Sequence, residues 1–498
     1  MTKENRNKTY GHILKYTGLF GGVQGLSILI GVIRNKLVAL ILGPDGMGLM
    51  SIFNSTIRLI SDSTSFGLGM SAVRKLSVVY EQGDDAEIKR CISIIRFWSQ
   101  LTALLGMVVC IVLSPLLSKW VFEWGNHSLH FVLLSVVVAL TAISGGELAI
   151  LKAIRQLKAL AKISFFNIVG ALITSIPLFY IWYQAAIVPS LIIVALMQML
   201  LTIYFSHRQY AIRLCYSKSL WVAGKPMIKI GIAFVLAGVM GSGADFLIRR
   251  YLNVLGSVET VGLYNAAYMM TMTYAGIVFT AMETDYFPRL SSIKGNGALL
   301  SDIVNSQIEV SLLIISPMLV AFMVGIPVIL PLLYSHEFMS LQLMVQTMVL
   351  AMYIRAIKLP IAYVPLAKGN PILYTLMEGI YYIVFVLAII ESFSFYQLLG
   401  IGFAITLVAL FDFIMLSICM YKVYQYSISS SVWKYAGIQL SIGLGTYIMV
   451  QMLHGVWYCI AGAILTLMSA YISLYILKKK TNIWNKLKAK LWESDSNL

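Results

Sequence analysis

Apolar residues come in long runs separated by short polar breaks. We place membrane-spanning helices at roughly 13–42, 46–66, 92–118, 129–152, 159–183, 185–206, 228–252, 259–284, 308–334, 340–366, 371–391, 396–421, 432–453 and 455–477. Each approaches the ~20 apolar residues that cross a bilayer. Gly43-Pro44-Asp45-Gly46 is a turn signal between the first two runs. Trp120, Trp124, Tyr180, Trp182 and Tyr183 sit near proposed ends, as an aromatic belt would have them. The expected fold is therefore all-α and polytopic.

Composition narrows this reading. Of 498 residues, 59% are hydrophobic and 12% charged, and the mean hydropathy is +0.83. A soluble domain carries about 25% charged residues, so a soluble enzyme, a disordered chain and a secreted disulfide scaffold are excluded. Cys91, Cys110, Cys215, Cys419 and Cys459 are scattered and form no zinc-type or disulfide spacing. The short basic N-terminus reads as retained ahead of the first span, since no A-x-A-like site follows the first apolar run.

The net charge of +16 is informative mainly through its placement. With the N-terminus inside and the spans alternating, 30 of the 37 lysines and arginines fall on the cytoplasmic side. This satisfies the positive-inside bias and returns the basic C-terminus to the cytoplasm. Nucleic acid is not an expected partner. Trp484, Leu487 and Leu491 share one face of a stretch whose lysines lie elsewhere, so 478–498 reads as a basic amphipathic tail or a frayed topological anchor.

Two stretches resemble each other. Ile33-Arg34-Asn35-Lys36-Leu37, Leu42-Gly43, Gly48-Leu49 and Arg74-Lys75-Leu76-Ser77 match Ile248-Arg249-Arg250-Tyr251-Leu252, Leu255-Gly256, Gly262-Leu263 and Pro288-Arg289-Leu290-Ser291 in order and spacing. Six spans separate the copies, so they share one orientation, the pattern of parallel repeats about an axis along the membrane normal. The expected organisation is a cytoplasmic N-terminus (1–12), an N-lobe (13–206), a basic linker (207–227), a C-lobe (228–423), two further spans (424–477) and the tail (478–498), with a central cleft between the lobes.

Ionisable residues at bilayer depth are costly and are functional candidates by default. Arg58 and Asp62 are spaced for an i,i+4 ion pair, and Asp245 and Arg249 repeat that spacing. Arg34 and Lys36 sit at a depth matching Arg249 and Arg250 in the second copy. Arg355 and Lys358 share a helix face with no acid within one turn. A cationic cleft of Arg34, Lys36, Arg58, Arg249, Arg250, Arg355 and Lys358 would suit an anionic ligand, because guanidinium and ammonium groups bind phosphates through charge-assisted hydrogen bonds. Structural salt bridges and snorkelling to the headgroups are the alternatives. Asp62, Glu147, Asp245, Glu378 and Asp412 could couple an ion or proton, or pair with these cations. Arg96 and Lys119 read as ordinary span-end residues. No G-x-x-x-x-G-K-[ST], H-E-x-x-H or G-x-S-x-G occurs, so no ATP loop, zincin site or nucleophile elbow is expected, and no cofactor or metal.

The run from Lys36 to Gly83, the V-G-L-Y and Y-F-P-R-L-S segments within Arg249–Ser292, and Ala356–Gly379 with Lys358, Tyr363, Ala367-Lys368 and Glu378 resemble O-antigen and polysaccharide flippases of the Wzx type. These belong to the multidrug/oligosaccharidyl-lipid/polysaccharide exporter (MOP) superfamily. The resemblance implies a two-lobed bundle in the bacterial inner membrane that moves undecaprenyl-diphosphate-linked oligosaccharide outward by alternating access. It implies a monomer without covalent chemistry, whose partners are the lipid-linked substrate, membrane lipids and other polysaccharide-assembly proteins. A polymerase or ligase of the same pathway, and a small-molecule antiporter of the same superfamily, are the competing functions.

Overall fold

The computed structural model describes residues 3–122, 125–211, 218–274 and 297–480, with 276, 279, 286, 287, 289–291 and 293 between the last two stretches. The expected tail helix after Lys480, and Arg213 and Lys294 of the basic count, lie outside the described residues. Every regular element among the described residues is helical. Eight helical stretches are long and apolar enough to cross a membrane. Two of these, Leu157–His207 (51 residues) and Pro371–Tyr424 (54 residues), would each be over 70 Å long if straight, more than twice the ~30 Å hydrocarbon core. Each is broken near its middle, at Tyr183–Ala186 and at Gln397. The chain is a multi-pass membrane protein.

The first compact unit comprises Met1–Asn265 with Leu332–Glu337. It holds α1 (Lys3–Thr64), α2 (Leu68–Gln82), α3 (Asp85–Val121), α4 (Ser128–Ala153), α5 (Leu157–Trp182), α6 (Ile187–His207), α7 (Lys218–Leu255) and the first two turns of α8 (Val258–Tyr268). The predicted turn is visible as a break inside α1. Gly43 stands at φ 63°, ψ −171°, a conformation its missing Cβ permits, and Pro44 starts the next segment without an N–H to satisfy. The N-terminus of α3 is fixed by Asp84, whose carboxylate accepts from the backbone N–H groups of Ala86 (2.9 Å) and Glu87 (3.3 Å). Helix α2 lies between the second and third predicted spans and carries part of the repeat, Arg74-Lys75-Leu76-Ser77. Its Leu68, Ala72 and Leu76, spaced four apart, form one apolar stripe. The stripe packs in a core with Ile88, Ile92, Ile95 and Trp98 of α3, Ile150 and Leu151 of α4, and Met227 of α7. Helix α7, which the sequence places at the head of the C-lobe, packs here against α1, α2 and α3.

The second unit comprises Ala266–Pro331 and Phe338–Leu498. It holds the end of α8 with a π-helical continuation (Met269–Tyr274), α9 (Ala298–Leu333), α10 (Gln342–Ala362), α11 (Pro371–Tyr424), α12 (Ser430–Met452) and α13 (Gly455–Lys480). Asn370 caps α11, accepting from Leu373 N–H at 3.1 Å. The expected break between the two spans of α11 falls at Gln397 (φ 49°, ψ −133°). The core groups Leu290, Leu300, Val304, Ile308, Ile361, Met377, Leu416 and Met420. Leu76 and Leu290 hold the same place in the two copies of the repeat, and each is fully buried in the core of its own unit.

The copies also meet within the first unit. A Cβ on Gly48 would lie 2.0 Å from the Val258 carbonyl oxygen, and one on Gly262 would lie 1.8 Å from the Pro44 carbonyl oxygen. Gly48 and Gly262 are equivalent in the repeat, as are Pro44 and Val258. The contact is therefore reciprocal, as two-fold related segments make it. Only glycine lets the two backbones approach this closely.

Candidate functional site

The intramembrane charges divide by whether the protein itself satisfies them. In the first unit Arg249 is the most fully occupied. Its Nε donates to Ser51 Oγ (2.6 Å), its Nη1 to the Asp245 carbonyl (3.0 Å) and carboxylate, and its Nη2 to Asn265 Oδ1 (3.3 Å). The guanidinium also stands 5.6 Å from the Tyr264 ring centre. The expected Asp245–Arg249 ion pair is thus present, and the residue joins α1, α7 and α8. Its neighbour Arg250 donates to the Trp120 carbonyl (2.8 Å) and lies 4.6 Å over the Trp120 ring, at the end of α3.

The other pair with this spacing behaves differently. Arg58 is exposed and Asp62 half-buried, and among the described residues no direct ion pair joins them. Ser242 on α7, beside Asp62, donates to the Gly238 carbonyl of its own helix (3.0 Å). One helical turn allows an ion pair without requiring it. Arg34 is half-buried and donates through Nε to Ser175 Oγ of α5 (3.2 Å). Lys36 is half-buried.

Glu147 is not isolated, and Arg96 is not an ordinary span-end residue. Arg96 Nε and Nη2 grip the two Glu147 oxygens at 2.8 and 3.2 Å, with both side chains at most 7% exposed. The same guanidinium donates to Ser206 Oγ and to the carbonyls of Tyr210 and Ala211. It therefore ties α3, α4 and the end of α6 together. The partners lie 51 and more than 100 positions away, so local spacing carries no sign of them. A cavity of about 580 Å³ opens beside this pair, lined by Asp85, Lys89, Arg90, Gln209 and Tyr210.

In the second unit Lys358 is not uncompensated. Its Nζ donates to Asp412 Oδ2 from the second leg of α11 and stands 4.5 Å from the Tyr381 ring centre on the first leg. Glu378, also on the first leg, faces both of them. Arg355, one turn away on α10, has different surroundings. Nη1 meets Met272 Sδ at 3.3 Å in the π-helical segment, and the guanidinium lies 5.6 Å from the Phe279 ring centre. No carboxylate pairs with it among the described residues. A thioether is a weak acceptor and an aromatic face a weak anion substitute, so the contacts made among the described residues engage little of its hydrogen-bonding capacity.

The structure brings Lys358, Asp412 and Glu378 together in one unit, and Asp245 with Arg249 in the other. Arg34, Lys36, Arg58 and Arg355 remain as cations without a carboxylate partner among the described residues.

The fold is similar to that of a structure described as lipid II flippase MurJ in an inward closed conformation, with a TM-score of 0.67 and 13% identity over 93% of this chain and 99% of that one. An inward-facing multidrug resistance MATE family transporter of the MOP superfamily matches at TM-score 0.57 and 15% identity, over 80% of this chain and 96% of that one. A Vibrio cholerae MATE transporter matches at 0.56 and 13%, over 82% and 98%. At these identities the likeness shows a shared fold. Comparison with curated protein sequences gave no match. The profile of one family, described as polysaccharide biosynthesis protein, matches residues 37–342, well over half of the chain. On that match, and with the fold of the MOP transporters, the chain belongs to the polysaccharide biosynthesis protein family.

Proposed function

We propose that the protein flips an undecaprenyl-diphosphate-linked oligosaccharide from the inner to the outer leaflet of the bacterial cytoplasmic membrane by alternating access, with both termini cytoplasmic. The observation that carries this reading is Arg355. A guanidinium half-buried in a membrane helix, beside a thioether and an aromatic ring and with no carboxylate partner among the described residues, is held at a cost that an anionic ligand would offset. A diphosphate offers the dense, multi-oxygen charge that arginine grips best. Arg34, Lys36 and Arg58, in the first unit, are the further cations without a carboxylate partner among the described residues. Arg249 acts within this proposal as a packing residue, since Nε, Nη1 and Nη2 all already donate within the protein, while for Arg250 Nε alone donates among the described residues, to the Trp120 carbonyl. The family match to polysaccharide biosynthesis and the fold shared with a lipid II flippase support the substrate class.

The test is complementation of a strain lacking the gene. One charge-assisted hydrogen-bonding group contributes about 1.5–3 kcal/mol. Arg355→Ala at normal protein level should therefore lower surface polysaccharide roughly ten- to hundred-fold, with lipid-linked repeat units accumulating on the cytoplasmic face. Wild-type polysaccharide from Arg355→Ala, Arg34→Ala and Arg58→Ala alike would refute the assignment. Single repeat units displayed outside the cell in the gene-deleted strain would point to a polymerase instead.

A further inference from the structure

The buried Arg96–Glu147 pair takes no part in the transport proposed above, yet desolvating two charges is costly. It holds in place the walls of the cavity of about 580 Å³. Asp85, Lys89, Ser93 and Arg96 recur every three or four residues and so form one stripe along α3. Gln209, Tyr210 and Ala211, just beyond α6, line the other side. Arg96 joins the two walls, because its guanidinium donates to the carbonyls of Tyr210 and Ala211 at 3.2 and 3.1 Å. Its charge is balanced by Glu147. The other charged lining residues are two cations, Lys89 and Arg90, and one acid, Asp85. Lys89 pairs with Asp85 and Arg90 with Glu87, one turn back on the same helix, and these four side chains are 54–66% exposed. Exposed pairs of this kind contribute little, so a stronger anion displaces them readily. Two turns, about 10 Å, separate Lys89 from Arg96. The cavity thus runs from the polar start of α3 into its apolar part. In the orientation proposed above, that is the level of the inner-leaflet headgroups.

We propose that this cavity binds a phosphate ester through Lys89 and Arg90, at a site that uses none of Arg34, Lys36, Arg58 and Arg355. An ammonium and a guanidinium bind phosphate oxygens through charge-assisted hydrogen bonds. The Gln209 amide and the Tyr210 hydroxyl add neutral donors from the opposite wall. Basic pockets between membrane helices at this depth suit the headgroup of an anionic phospholipid, and a soluble phosphate ester would meet the same groups. The volume is that of a small-ligand site and admits the phosphate with its glycerol. The buried Arg96–Glu147 pair keeps α3 and the end of α6 at the spacing this ligand needs. The site stands whether or not the transport reading does.

The experiment uses the full-length protein in nanodiscs of phosphatidylcholine, with and without phosphatidylglycerol. Phosphatidylglycerol should raise the melting temperature of the wild type. The Lys89→Gln/Arg90→Gln double variant, altered only at exposed side chains, should melt like the wild type in phosphatidylcholine and lose most of that rise. Lys152→Gln/Lys162→Gln removes two exposed cations that do not line the cavity and should keep the rise. Titration of the detergent-purified protein with phosphatidylglycerol, read by native mass spectrometry, should show one lipid bound about ten- to hundred-fold more weakly by the cavity variant. Glycerol 3-phosphate added to phosphatidylcholine nanodiscs separates the two sources. A rise that the cavity variant loses assigns a soluble ester, and a response to phosphatidylglycerol alone assigns the lipid. A wild type that responds to neither overturns the site. So does a cavity variant that keeps the full response, or a Lys152→Gln/Lys162→Gln variant that loses as much, since the effect would then be diffuse surface charge.

Discussion

The reciprocal crossing of Gly48 and Gly262 allows a prediction with a worked magnitude. A Cβ at Gly262 would stand 1.8 Å from the Pro44 oxygen, and one at Gly48 would stand 2.0 Å from the Val258 oxygen. Ordinary contact begins near 3.4 Å. One added methyl group therefore forces the two backbones apart by about 1.5 Å, because neither obstacle is a side chain that can rotate away. Overpacking of this kind costs about 1–3 kcal/mol. Gly48→Ala and Gly262→Ala should each destabilise by that amount. The double variant should cost clearly less than the sum, since a separation opened for one methyl also admits the other. Gly69→Ala and Gly145→Ala are the controls. Both sit in helices with nothing within 4 Å of the added carbon, and both should stabilise by about 0.5–1 kcal/mol through the glycine-to-alanine helix preference. The assay is reversible unfolding in mixed micelles, followed by tryptophan fluorescence. Additive single effects, or crossing variants that behave like the controls, would refute the reciprocal contact.

Other contacts give sharper or weaker expectations. Glu147→Ala leaves the Arg96 guanidinium buried without its carboxylate and should cost about 3–5 kcal/mol. The Arg96→Met/Glu147→Leu double variant should recover most of that in the same unfolding assay, and a double variant as unstable as the single would argue against a charge-based cause. Gln439 accepts from Ser469 Oγ (2.7 Å) and donates to Ser473 Oγ (3.0 Å), joining α12 to α13; Gln439→Leu should cost about 0.6–1.7 kcal/mol, read as a lower melting temperature. Lys480 pairs with Glu309 and lies 5.1 Å from the Tyr435 ring centre, but its side chain is 42% exposed. Lys480→Ala should therefore change stability by less than about 1 kcal/mol, and a larger loss would mean that the pair is shielded from solvent.

What the sequence made legible follows from what is local. Apolar runs are a one-dimensional property, so the helices, the Gly43-Pro44 break and the division of the longest stretches could be read directly. Helix α2 was hidden because an amphipathic helix of fifteen residues, too short and too polar to read as a span, does not stand out from a basic loop. The repeat was legible as a pattern; that its glycines meet each other was not, because contact needs the third dimension. The charges show the same limit most clearly. Spacing along one helix suggested the same pairing for Arg58–Asp62 and Asp245–Arg249, yet only the second pair has Ser51 and Asn265 on other helices completing the arginine's donors. Spacing also made Lys358 look uncompensated and Glu147 isolated, although Asp412 and Arg96 meet them from 54 and 51 positions away. In a membrane helix the cost of a charge is set by its tertiary partners. A buried cation is thus a functional signal only after those partners have been subtracted. By that test Arg355 gains weight and Arg249 loses it, though in the sequence alone the duplicated motif made Arg249 the more prominent of the two.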